Sequence, residues 1–365
     1  CLISCVCFCI RLMDKDTSDT GILLINLGTP DSTNTSDVRK YLKEFLMDPY
    51  VVNAPSFIRA MIVYGFILPT RPKKSAEAYS HIWTDEGSPL LVGSTKLCQA
   101  LQTELKMTVE LAMRYGNPSI SDGLHRMKKN GIKHVLVVPL YPQYADSTVK
   151  TSIEKVRTEL PSDISAEVLP TFFNSDHFIE PWANQIKKNL PAEWDHLLLS
   201  YHGIPDKHLK IADQTNSHCL TTRDCCDMQS PAWRTCYRHQ VFETSKRIAK
   251  ALGISDSKYT VSFQSRLGPV SWLKPYTDKT LEDLPGKGVK RLVLASPAFL
   301  VDNLETIEEL GMEGRELFEK SGGKTLTLVP CLNDNPQWVK GLAAICKDHL
   351  DRNRPRELGI VHVSS

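Results

Sequence analysis

Imidazole, carboxylate and thiolate groups that could accept protons or hold metal ions concentrate in three parts of this chain. His202 follows the run Leu197, Leu198, Leu199, Ser200, Tyr201 and precedes Gly203, Ile204 and Pro205. An apolar run broken by Gly and Pro predicts a buried strand that stops at His202 and turns. In an open α/β sheet such a strand end faces the ligand crevice, although a core histidine with both nitrogens satisfied would have similar surroundings. A second run, 291–299, leads into Asp302, Glu305 and Glu309. At about 100° per residue these acids fall within roughly 60° on one helix face, with Glu308 to the side. Acids also suit the first turn of an ordinary helix. Imidazole with clustered carboxylates is nevertheless the ligand set of a divalent metal, and equally a set of proton acceptors.

The third group is Cys219, Cys225, Cys226 and Cys236, flanked by His218 and His239. Thiols this dense predict a metal centre, because free they would be prone to oxidation. The spacing is not the paired CxxC of a zinc ribbon, so zinc is the alternative and an iron–sulfur centre on four thiolates the expectation. Eleven cysteines, with this one main cluster, suit a reducing cytosol better than a disulfide framework.

Elements that could position these groups are legible. The 365 residues, 41% of them hydrophobic, suffice for two α/β domains with sizeable cores. A net charge of +2 with interspersed signs gives no footprint for nucleic acid. The cysteine-rich start is too short to span a bilayer and a poor signal peptide, so residues 1–19 read as a fragment end or artefact. Strand-like runs alternate with amphipathic helical stretches, the pattern of parallel βαβ units. Two segment pairs repeat in order: 23–31 with 198–206, and 131–138 with 288–295. In that alignment His202 stands for Leu27 and Glu305 for Thr148, so the second half carries the chemistry and a cleft is expected between the halves. The first half offers an apolar stretch, 55–69, followed by Arg71, with Arg114 further on. It reads either as a core helix or as a lip over a flat hydrophobic ligand whose carboxylates Arg could bind.

Taken together, Gly21 to Asp31, Leu140 to Tyr144, Ser200 to Pro205, Phe263 to Pro269 and Asp302 to Leu310 resemble the ferrochelatase family over about residues 20–355. The resemblance implies a class II chelatase fold: α/β, two similar Rossmann-like domains with parallel sheets flanked by helices and a cleft between them. It places the halves at 20–180 and 181–355, the cysteine insert at about 213–240 and a tail at 356–365. It implies insertion of Fe²⁺, the substrate metal, into protoporphyrin IX, the last step of haem formation. His202 and Glu305 match the catalytic pair that meets Fe²⁺, and Asp302 and Glu309 an acidic path for metal or protons. Arg71, Ser88, Arg114, Tyr115, Tyr141, Ser147 and Trp272 match porphyrin-binding positions.

This chain departs from the animal-type pattern, since Asp146 stands where those members carry a cluster cysteine. Cys219, Cys225, Cys226 and Cys236 instead resemble the internal segment of some bacterial members, which implies a 2Fe–2S cluster. Leu27, where coproporphyrin-type members commonly carry Tyr, favours protoporphyrin IX over coproporphyrin. The alternatives are a coproporphyrin ferrochelatase or a non-catalytic porphyrin or haem carrier with a cluster-based sensor. The expected setting is cytoplasmic with peripheral membrane contact through the lip; no pattern here sets an oligomeric state.

Overall fold

Residues 19–353, other than 267 and 269, are described by the computed structural model. The expectations for residues 1–18 and 354–365 lie outside the described residues. The apolar runs form two four-stranded sheets. The first comprises β1 (Thr20–Thr29), β2 (Thr108–Gly116), β3 (His134–Pro139) and β4 (Ser165–Val168), in the order β2-β1-β3-β4. The second comprises β5 (His196–His202), β6 (Tyr259–Gln264), β7 (Arg291–Ala295) and β8 (Thr325–Leu328), in the order β6-β5-β7-β8. All neighbouring pairs are parallel. The second order is the first shifted by four strands, so the repeat seen in the sequence extends to the topology.

Parallel sheets with helices on both faces need strands that are apolar throughout. Ile22 to Ile25 and Leu197 to Leu199 are accordingly buried completely. The expected boundary at 180/181 falls inside helix Asp176–Asn189, which packs on helix Tyr237–Leu252 of the second half. Helix Pro336–Asn353 packs in turn on helix Pro89–Leu105 of the first half. Trp182 and Trp338 from these helices lie in one core cluster with residues of both sheets, which locks the relative placement of the strand ends.

A π-helical segment follows the third strand of each sheet: Asp146–Lys150 after β3 and Glu305–Glu313 after β7. Such segments are rare and cluster at functional sites. They fall at equivalent points of the repeat, and the second carries the acids.

Candidate active site

His202 is the last residue of β5 and is half-buried. Its Nδ1 lies 2.6 Å from the Gly203 carbonyl. A carbonyl only accepts, so Nδ1 carries the hydrogen and Nε2 keeps the lone pair of a base. The turn is tight: a Cβ on Gly203 would stand 2.8 Å from the Gln264 carbonyl oxygen and 3.3 Å from the Trp272 ring. Glycine there lets the backbone fold back beside His202. Tyr237 fixes the same strand end from outside, donating to the His202 carbonyl at 2.8 Å.

β7 is the sheet neighbour of β5. The chain leaving β7 lays Phe299 edge-on to His202, with centroids 6.4 Å apart, before entering the helix that begins with Glu305. Leu304 and Ile307 of that helix pack on Val38, Ala76, Tyr79 and Ile82 of the first half, so Glu305 lies at the seam. Burial chiefly, with the Glu305 charge adding, pushes the Tyr79 hydroxyl up.

Glu309 is one π-turn beyond Glu305, since residues four apart still fall about one turn apart under i→i+5 bonding. Ser265 grips it with its backbone N–H at 2.9 Å and with its hydroxyl. Burial pushes the Glu309 carboxyl up to about 7, Ser265 opposes this and Glu305 adds to it. Asp302 does not share the face expected of it. It precedes the helix, and its carboxylate accepts from the Cys331 N–H at 3.0 Å and from Asn333 Nδ2 at 2.8 Å. Both oxygens being held, Asp302 ties the segment after β7 to the loop after β8. The 100° periodicity had placed it on a helix that starts only after it.

Behind Glu309 lies a cavity of 260 Å³ lined by Gln264, Ser265, Arg266, Asp278, Glu309 and Glu313 among others.

The porphyrin-binding positions implied by the resemblance separate into two sets. Arg71 is exposed at the start of helix Arg71–Ile82, while Ser147 and Trp272 are half-buried. Arg114 and Tyr115 both bind Asp48, Tyr115 at 2.9 Å, and Arg114 also reaches Thr151 at 2.8 Å. Asp48 is itself buried, and sequence reading missed it because its partners are over 60 residues away. A half-buried guanidinium is stabilised by such a counter-charge. Ser88 is buried and accepts from Thr29 at 2.8 Å, and Tyr141 is buried with its hydroxyl unpaired. The stretch 55–69 exposes Phe57, Met61, Tyr64 and Phe66 on a helix that turns from α to π at Met61, while Val63 and Leu68 are buried in a core cluster.

Cys219, Cys225, Cys226 and Cys236 are all buried. Hydrogen bonds from Cys219 and then Cys226 pull the Cys236 thiol well down, and those two are pushed up correspondingly. Arg238 Nη1 reaches the Cys225 and Cys226 sulfurs at 3.5 and 3.4 Å, and the His239 N–H reaches Cys236 at 3.5 Å. Asp213 holds the backbone N–H groups of His218 and Cys219 at 2.8 Å each. Among the described residues no three His, Cys, Asp or Glu side chains converge on a single ion position.

Two like-ordered parallel sheets, with His202 at a strand end of the second and Glu305 and Glu309 on the helical segment that follows β7, make a chelatase-type α/β fold. The fold is similar to SirB from Bacillus subtilis with Fe³⁺ (TM-score 0.52, 12% identity, 90% of this chain and 95% of that one). It is equally similar to the cobalt complex of the sirohydrochlorin chelatase SirB from B. subtilis subspecies spizizenii (TM-score 0.51, 10% identity, 93% and 98%). The sequence is more telling. The ferrochelatase family signature matches residues 19–350. Proteins named ferrochelatase from Pseudomonas savastanoi pv. phaseolicola (strain 1448A / Race 6) and Azotobacter vinelandii (strain DJ / ATCC BAA-1303) are 47% and 45% identical, over 90% of this chain and 98% and 99% of theirs. The chain belongs to the ferrochelatase family.

Proposed function

We propose that this protein inserts Fe²⁺ into protoporphyrin IX to form protohaem, with His202 as the base that takes the pyrrole protons. The observation that carries this reading is the His202 ring itself: Nδ1–H is spent on the Gly203 carbonyl, which leaves Nε2 as an acceptor at a strand end. Two N–H protons must leave as iron enters, and a planar macrocycle resists entry from one face. An enzyme gains by holding the ring in the distorted shape of the metallation transition state. Trp272 beside Gly203, Phe299 against His202 and the apolar lip are the surfaces for that grip, with Arg71 and Ser147 as candidate partners of the propionates. Glu305 shares or orients the protons, and Glu309, able to change protonation near neutral pH, passes them on. Arg114 and Tyr115 act through the Asp48 network and Ser88 through the Thr29 contact, while Tyr141 offers its unpaired hydroxyl to the porphyrin.

Cys219, Cys225, Cys226 and Cys236 are proposed to hold a 2Fe–2S cluster. The donor set fits: four buried sulfurs and N–H donors from Arg238 and His239 already directed at them. A two-iron cluster needs two sulfurs per iron, whereas a single zinc ion needs four ligands around one point. The cluster would supply a staple or a one-electron redox centre. The lip is proposed to accept porphyrin from, or rest on, a membrane surface. Among the described residues no helix is long and apolar enough to cross one.

The test is anaerobic incubation with Fe²⁺ and either protoporphyrin IX or coproporphyrin, following haem absorbance. Faster metallation of protoporphyrin supports the reading. A preference for coproporphyrin would move the substrate to the tetracarboxylate, and tight binding without metallation would make the protein a carrier.

A further inference from the structure

Gln264 borders both His202 and the cavity that holds Glu309. It is the Cα partner of His202 in the β5–β6 register, and its carbonyl accepts from the Gly203 N–H at 2.8 Å. Paired residues of parallel strands point to one sheet face, so the imidazole and the amide share the face that also carries Ser200 and Ser262.

The Gln264 amide turns its carbonyl end toward a chain of buried hydroxyls. Ser200 donates to Gln264 Oε1 at 2.6 Å. Its single proton being spent, Ser200 must accept from Thr277 at 2.8 Å, and Thr277 must accept from Ser262 at 2.8 Å. The carbonyl end of Gln264 is therefore the satisfied end. Nε2, with two N–H donors, is buried and has no partner. A buried donor without an acceptor is costly, and natural proteins leave few of them. Gln264 lines the 260 Å³ cavity alongside Ser265 and Glu309, a space polar and roomy enough for ordered water.

We infer that Gln264 is a positioning residue for the reaction: its amide N–H groups hold a water that hands protons from His202 to Glu309. The inference rests on His202 being the base. Each transfer balances: the pyrrole N–H breaks as His202 Nε2–H forms, the imidazolium returns that proton to the water oxygen, and the water gives up one of its own to a Glu309 oxygen. The acid then releases it on the cavity side of Arg266 and Asp278, both exposed to solvent. A carboxyl poised near neutrality suits a group that must take and release a proton in every cycle.

The test uses the full chain with Gln264→Leu, Glu309→Gln and the double variant, measuring kcat and the KM for protoporphyrin IX. Gln264→Leu is expected to lower kcat at least tenfold with KM changed less than twofold and an unaltered melting temperature. Because both residues serve one route, the double variant should be no slower than the slower single variant. Losses that multiply in the double variant, or a loss confined to KM, would overturn the inference. Should Gln264→Leu fail to fold, Ser200→Ala, which frees the carbonyl end and lets the amide turn, replaces it in the same cycle and is judged by the same criterion. A fully active His202→Ala would sink the base assignment beneath it, which is a different result from multiplying losses with His202→Ala inactive.

Discussion

Ser265 holds Glu309 at both carboxylate oxygens, with its N–H on one at 2.9 Å and its hydroxyl on the other, from a backbone at φ +63°. A serine in the left-handed region is uncommon. Here it aims two donors at an acid that burial otherwise disfavours as an anion. The acid is thus kept where it can be charged or neutral at physiological pH.

Stability should record this. The native Glu309 carboxyl keeps a proton that the unfolded chain loses at its ordinary pKa, so stability falls as pH rises from about 4.5 to about 7 and is level above. Glu309→Gln removes the titration. Urea unfolding of both proteins across pH 5 to 8 should show wild type losing roughly 1–3 kcal/mol relative to the variant. Parallel curves would mean that Glu309 ionises normally.

Asp48 is the anchor of Arg114, Tyr115 and Thr151. Removing one partner of a buried pair leaves an uncompensated charge, which costs about 3–5 kcal/mol. Asp48→Ala and Arg114→Ala should each lower thermal stability strongly, and the double variant should lose far less than the sum. Additive losses would contradict the network.

The cysteine site makes a chemical prediction. Anaerobic reconstitution with iron and sulfide should load about two irons per chain. Cys236→Ser, which removes the sulfur that Cys219 and Cys226 both address, should abolish loading and the cluster's absorbance. Binding of one zinc in place of iron and sulfide would favour the alternative metal.

Phe57 and Phe66, both exposed by about 70%, sit at the outer edge of the lip. Replacing them with Ser should weaken protoporphyrin binding or attachment to liposomes by several-fold, with little change in melting temperature, because neither ring is packed in the core. A large stability loss would mark the lip as structural.

Much of this was legible in the chain. The apolar run to Leu199 followed by Gly203 and Pro205 located a strand end at His202, because burial and chain reversal are both local properties. The repeat was legible for the same reason and extended to a shared strand order. Asp302 was misplaced because a helical period was applied to residues outside the helix. The Asp48 contacts of Arg114 and Tyr115 and the burial of Ser88 could not be read, since each depends on a partner distant in sequence. Asp48 carried no signal of its own in the sequence. Gln264 gave none: an amide's role depends on which of its ends is already satisfied.

The most direct test of the account is the rate of Fe²⁺ insertion into protoporphyrin IX by wild type and His202→Ala under anaerobic conditions, followed by loss of porphyrin fluorescence. A general base contributes about 10²–10⁴-fold. The account predicts fast loss in wild type, a fall of that order in the variant, and porphyrin binding retained by both. Equal rates in the two proteins would contradict it.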